Sequence, residues 1–245
     1  MDVNTIIVIP ARYGASRLPG KVLADLGGMP VIERVWRAVC SVPGVDVLIA
    51  TDEERVYRAA SNFGANVVIT SKDIKSGSDR VYVALNTLDK SYSFVINVQG
   101  DEPFISAEEI LLLKNEIENG DSDIATLCVP ISEKEAENPN NVKVVFDRDN
   151  NALYFSRSMV PYYRDDTKRV FYKHVGIYAY KRDALERFSA LEESPLEKAE
   201  RLEQLRALEN GMKIKVLECE YNYPGIDTPE DLVMAEELLK RRGDA

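Results

Sequence analysis

The sequence predicts an α/β protein built on a largely parallel sheet. Two observations carry that prediction. Through the first half of the chain, short apolar runs alternate with stretches of helical periodicity, the pattern of strand–helix–strand units. The chain also has 245 residues with 45% hydrophobic side chains, about one large domain with enough apolar material for a sizeable core.

The elements follow in order. TIIVIP is a short apolar strand, and VIERVWRAVC repeats its apolar residues at helical spacing. VDVLIA is the next strand, after which Thr51 and Glu54 read as a capping box opening a helix through ERVYRAASNF. NVVIT, a helix from about Gly77 to Leu88, and SFVINV continue the alternation. Ser106 with Glu109 opens another helix, and DIATLCV is a further strand. The polar ISEKEAENPNN then reads as a loop leading out of the first unit. KVVFD and ALYFS form a hairpin around DRDNN, and HVGIYAY is a strand. SPLEKAERLEQLRALENG reads as one helix, with Ser194 as N-cap, Pro195 at the first position, Glu197 completing the box and Gly211 as the stop. KIKVLECEY is a strand, and TPEDLVMAEELLKRR a last helix capped by Thr228, its basic end suited to a helix C-terminus. No repeat and no flexible linker is visible. The expectation is therefore one domain over 1–245, in which about 130–195 form a less regular, hairpin-containing lobe.

Composition excludes several classes of function. No apolar run approaches the roughly 20 residues of a membrane span. MDVNTIIVIP lacks the basic start of a signal peptide and reads as a first strand. Cys40, Cys128 and Cys219 lie far apart in apolar segments without metal-ligand spacing, which predicts buried free thiols and a reducing, cytoplasmic setting. The net charge of −10 argues against a nucleic-acid surface.

One stretch runs against that charge. Residues 10–21, PARYGASRLPGK, hold Arg12, Arg17 and Lys21 and no acid, as a small polyanion would require. They resemble a P-loop, G-x-x-x-x-G-K-[ST], yet five residues separate Gly14 from Gly20 and Val22 replaces the hydroxyl that would bind magnesium. Any metal must be held elsewhere. In parallel sheets ligands sit beyond the carboxyl ends of the strands. This loop follows the first strand and QGDEP follows SFVINV, so the two should share one rim. Asp101 in QGDEP either caps a turn or holds magnesium, which takes one or two carboxylates plus substrate phosphates. Asp227, in GIDTPED, is not needed as a cap because Thr228 already provides one. Alternation along HVGIYAY puts His174, Gly176, Tyr178 and Tyr180 on one face, suited to a hydroxyl-rich ligand. Glu203 and Gln204 lie beside the leucine stripe of their helix and can reach a cavity. Arg157, ending ALYFSR, can pair with a carboxylate through its fork of donors.

Taken together, PARYGASRLPGK, SGSDR, NVQGDEPF, ALYFSR, KHVGIYAY, SPLEKAERLEQLR and GIDTPEDL, in this order over nearly the whole chain, resemble the 3-deoxy-manno-octulosonate (Kdo) cytidylyltransferases. The resemblance implies a nucleotide-diphospho-sugar transferase fold, a homodimer, and the reaction of CTP with Kdo to give CMP-Kdo and pyrophosphate for lipopolysaccharide synthesis. It implies that Arg12, Ser16, Arg17 and Lys21 hold the triphosphate, that Arg80 lies near the nucleotide, and that Asp101 and Asp227 hold Mg2+. Gln99, Arg157, His174, Tyr178, Glu203 and Gln204 would surround the sugar acid. Ser78-Asp79 is a mild departure from the family's Thr-Glu or Thr-Asp. The rival readings are sialic acid enzymes, which share the first loop but not LEQLR with GIDTPED, and enzymes for the 8-amino analogue of Kdo, which tend to carry GDQP where this chain has GDEP.

Overall fold

All seven residues of β1 (Thr5–Ala11) are buried, as suits a central parallel strand with helices packed against it. In the computed structural model, which describes residues 4–14, 17–165, 168–220 and 225–242, β1 pairs in parallel with β2 (Val45–Thr51) on one side and β4 (Phe94–Asn97) on the other. β2 in turn pairs in parallel with β3 (Val67–Ile69), giving the order β3-β2-β1-β4. The connecting helices are α1 (Val31–Cys40), α2 (Glu54–Asn62) and α3 (Gly77–Leu85). α1 buries Val31, Ile32, Val35 and Val39, the stripe its periodicity predicts. The capping box expected at Thr51 does not form. Thr51 is the buried last residue of β2, its hydroxyl accepts from the Glu53 N–H at 3.3 Å, and α2 starts from Glu53 with no side-chain cap. Cys40 also departs from expectation: it is exposed on the last turn of α1, whereas Cys128 and Cys219 are buried, with no disulfide.

The chain divides into two compact units, Met1–Leu111 with Tyr223–Ala245, and Leu112–Asn222. α4 (Ala107–Asn119) leads from the first to the second, opened as expected by Ser106, whose N–H donates to Glu109 at 3.0 Å. The irregular lobe expected at 130–195 falls wholly within the second unit. There β5 (Ile124–Ile131) pairs in parallel with β9 (Ile214–Glu218) and antiparallel with β8 (Phe171–Lys181). β6 (Lys143–Phe146) and β7 (Ala152–Ser156) form the expected hairpin. Two short helices lie outside the expectations: α5 (Glu133–Ala136), with a complete Ser132–Glu135 capping box in what reads as a polar loop, and α6 (Arg182–Ser189).

The single helix expected over 194–210 is broken. α7 (Pro195–Glu200) begins with the Ser194–Glu197 box and ends at Arg201 in the left-handed conformation (φ 55°), before α8 (Gln204–Glu209) resumes. The break turns the carbonyls of Glu200 and Arg201 towards Arg157, whose Nε and Nη2 donate to them at 2.7 and 3.4 Å. A periodic leucine pattern cannot show that a long-range arginine occupies the helix end. The last helix, α9 (Pro229–Arg242), belongs to the first unit. Among the described residues, no helix is long and apolar enough to cross a membrane.

Candidate functional site

β1 and β4 are adjacent and parallel, so the loops that leave them emerge at one edge of the sheet. The first turns back at Gly20 (φ 73°), whose N–H donates to the Tyr13 carbonyl at 2.9 Å. A Cβ there would lie 2.9 Å from the Tyr13 ring, so both the backbone and the space demand glycine. A single 3-10 turn, Lys21–Leu23, follows and presents Lys21. The second loop is tied to the first strand by Gly100, which donates to the Pro10 carbonyl at 3.3 Å.

Between these loops opens a cleft of ≈ 320 Å³, walled by Arg12, Arg17, Lys21, Gln99, Asp101 and Asp227 together with Gly77 at the start of α3. Asp227 arrives from the far end of the sequence. Its loop docks on the QGDEP turn, with the Ile226 N–H donating to the Asp101 carbonyl at 2.9 Å. A Cβ on Gly225 would lie 2.9 Å from the Glu102 carboxylate, so a larger residue there would have to displace that side chain. The cap of α9 is made by Thr228 and Asp231, whose carboxylate accepts from the N–H groups of Asp227 and Thr228 at 3.0 and 2.8 Å. The Asp227 carboxylate is thus released for the cleft.

There the Lys21 ammonium donates to Asp101 and, at 2.7 Å, to Asp227, while Arg17 pairs with the other Asp227 oxygen at 3.0 Å. Burial works against the Lys21 charge. The attraction of Asp101 and the hydrogen bond donated to it, then those involving Asp227, together outweigh it and hold the lysine above its ordinary pKa. Lys21 therefore stays a cation. Arg12 reaches across to the Lys75 carbonyl at 2.8 Å, steadying the segment that leads to Ser76, the N-cap of α3. Gly77, which the sequence marks as a helix start, also lines the cleft. The Gln99 amide lies so close that a Cβ on Gly77 would approach it to 3.3 Å, and Ser76 in SKDIKSGSD caps the helix that starts there.

Ser16 lies outside the described residues. Arg80, expected near the nucleotide, lies in α3, which Gly77 of the cleft wall opens. Its side chain is fully buried and forms no part of the cleft wall; it binds Asp52 at 3.0 Å, the Thr70 hydroxyl and the carbonyls of Ser71 and Ile74. A cation with those partners braces the 70–76 segment from beneath.

The other expected sugar contacts belong to the second unit. Arg157 is held by carbonyls of Glu200, Arg201 and Pro139, and its N–H donates to the Glu200 carboxylate at 2.9 Å. Donors remain on its two terminal nitrogens. β8 carries a bulge: Thr126 faces Tyr178 while its neighbour Leu127 faces Val175. The slip is of two residues, which preserves the alternation, and the rings of His174, Tyr178 and Tyr180 do stack in sequence at 5.4 and 6.0 Å. His174 is 9% exposed, and burial, helped by the Lys173 charge, lowers its pKa to about 3, so the ring is neutral. Burial first, then Tyr180 and Glu203, keep the Tyr178 phenol protonated. Glu203 and Gln204 open α8, with Glu203 3.5 Å from Arg206.

Comparison with known proteins identifies the family. Residues 6–214 match the sequence model of the family described as Cytidylyltransferase. Among curated relatives, the 3-deoxy-manno-octulosonate cytidylyltransferase of Bacteroides thetaiotaomicron is 46% identical, with 96% of this chain and 98% of that protein aligned. The 8-amino-3,8-dideoxy-manno-octulosonate cytidylyltransferase of Shewanella pealeana is 45% identical over 97% of this chain and 99% of its own. A solved CMP:2-keto-3-deoxy-manno-octonic acid synthetase complexed with CTP superposes with a TM-score of 0.93 at 43% identity, covering 97% of this chain and 99% of its own. The 4-diphosphocytidyl-2C-methyl-D-erythritol synthase of Anaerococcus prevotii shares the fold alone, with a TM-score of 0.64 at 19% identity over 97% of this chain and 98% of its own. By family match, by curated relatives and by fold, this chain belongs to the cytidylyltransferases, alongside the enzymes that act on 3-deoxy-manno-octulosonate and its 8-amino analogue.

Proposed function

We propose that this protein activates Kdo, transferring the cytidylyl group of CTP to the sugar with release of pyrophosphate. The observation that carries the proposal is the meeting of Lys21, Asp101 and Asp227 in one cleft beside Arg12 and Arg17. In the reaction the anomeric hydroxyl oxygen of Kdo bonds to the α-phosphorus of CTP. The bond from that phosphorus to the bridging oxygen breaks, pyrophosphate departs, and the hydroxyl proton passes to solvent. Arg12, Arg17 and the first turn of α3 suit the triphosphate, and Lys21 and Arg17 neutralise charge that grows on the leaving pyrophosphate.

The same cleft fits magnesium. Asp101 and Asp227 direct oxygen atoms at one shared cation, the Lys21 ammonium, and two carboxylates completed by substrate phosphates form the hard-oxygen set that Mg2+ prefers. Held by Asp101 and Asp227, it would supply charge neutralisation at phosphorus and a lowered pKa for the sugar hydroxyl. Gln99, Arg157, His174, Tyr178, Glu203 and Gln204 are proposed to contact the sugar acid, Arg157 with the donors its carbonyl partners leave over. The setting is the cytoplasm, where the product serves lipopolysaccharide assembly. The working form is a homodimer, a reading supported by the exposed apolar side chains of Leu153, Met159 and Tyr162.

The test is a pyrophosphate-release assay offering Kdo, its 8-amino analogue and sialic acid with CTP, and Kdo with ATP and GTP. Kdo with CTP is expected to turn over fastest, and the purine nucleotides hardly at all. Preference for the 8-amino sugar would reassign the substrate within the family. Equal rates with every nucleotide would overturn the cytidylyl reading.

A further inference from the structure

Thr126 lies in β5 opposite the bulge of β8, and it is fully buried. Its hydroxyl has one proton and three neighbours: the Ile177 carbonyl at 2.8 Å, the Val175 carbonyl at 3.2 Å and His174 Nε2 at 3.0 Å. Both carbonyls can only accept, and the Ile177 carbonyl at 2.8 Å is the nearest of the three neighbours, so the hydroxyl proton goes to it. The hydroxyl oxygen then faces Nε2 with lone pairs alone. A hydrogen bond at 3.0 Å requires the proton to sit on Nε2.

We propose that Thr126 is a positioning residue that locks His174 in the Nε2–H tautomer, making Nδ1 a permanent hydrogen-bond acceptor for a hydroxyl of the sugar substrate. Among the described residues Nδ1 has no hydrogen-bond partner, although the side chain is nine-tenths buried. A lone pair in such a place is complementary to an O–H or N–H donor and repels a carboxylate, so His174 reads a hydroxyl and leaves the acid group to other residues. The Phe155 ring, edge-on at 4.9 Å, and Tyr178 at 5.4 Å hold the imidazole plane while Thr126 sets the proton. The part concerning sugar rests on the function proposed above; the tautomer does not.

The chain's single histidine makes the test direct. Nitrogen-15 NMR of histidine-labelled protein without substrate should show one neutral ring with its proton on Nε2. Thr126→Val removes the acceptor oxygen with little change of shape, and should lose that single-tautomer signature and raise the Kdo KM by about tenfold, the worth of one hydrogen bond. Its kcat and CTP Kd should stay within about twofold. Thr126→Ser should restore both the spectrum and KM. A wild-type ring protonated on Nδ1, or on both nitrogens, overturns the proposal whether or not the valine variant folds. So does a folded Thr126→Val variant with unchanged spectrum and KM. If instead the tautomer is as expected but His174→Ala leaves the Kdo KM unaltered, the sugar-site reading fails and the hydroxyl reader falls with it, while the tautomer lock stands.

Discussion

Lys21 and Asp227 touch each other, yet their substitutions should fail in different ways. Lys21 is a cation poised over developing negative charge, so Lys21→Ala should lower turnover by roughly 10²–10³ at any magnesium concentration. Asp227→Asn keeps the shape of the side chain and leaves the α9 cap intact, because Asp231 and Thr228 make that cap. Its thermal stability should therefore match the wild type, and CTP should still bind by calorimetry. Turnover should be nearly abolished, with the magnesium response flattened. Normal turnover in Asp227→Asn would reduce the residue to a partner of Arg17. At this scale much was legible. Arg12, Arg17, Lys21, Asp101 and Asp227 line one cleft, because a charge pattern at the ends of parallel strands is a local signal. The burial of Arg80 was not legible, because whether an arginine faces solvent or Asp52 depends on a partner 28 positions away. Thr126 gave no signal, since its meaning lies in the β5–β8 register.

The elements divide in the same way. Strands and helices of the first unit were readable because each is a local apolar pattern, and α1 matches its predicted span to the residue. The α7–α8 break was not, because LEKAERLEQLRALE has the composition of one continuous helix and nothing marks Arg201. Tertiary partners override that propensity: Glu200 accepts from the Ser156 hydroxyl at 2.7 Å and the Arg157 N–H at 2.9 Å, and its carbonyl from Arg157 Nε at 2.7 Å. The exposed Arg201 bears the conformational cost at φ 55°. Arg201→Gly should then be tolerated or stabilising by up to about 1 kcal/mol, and Arg201→Val, β-branched at a left-handed position, should cost about 1–2 kcal/mol in urea unfolding. Equal stability of the two variants, or a gain of helical circular dichroism in Arg201→Val, would show that the helix runs on when its partners allow it, and that the break is not enforced.

For the whole molecule, charge decides how self-association must work. Each chain carries −10, so two copies repel, and a dimer has to be held by apolar burial strong enough to overcome that repulsion. Leu153 at 62% and Tyr162 at 88% exposure, in one short stretch of the second unit with Met159, are side chains that a monomer gains nothing by displaying. The expected behaviour is a dimer by sedimentation equilibrium at micromolar concentration. It should tighten as salt rises to physiological strength, where screening shortens electrostatic reach to about 8 Å. Leu153→Glu combined with Tyr162→Glu adds two charges per copy at the same place and should give monomers whose far-ultraviolet circular dichroism is unchanged. Salt is the discriminating variable. An interface built on ion pairs would weaken with added salt, whereas one that buries leucine and tyrosine against like-charged surroundings must strengthen. A wild type that is monomeric throughout, or a double variant that still dimerises, would remove this stretch as the interface and leave its exposed apolar side chains to be explained by another partner.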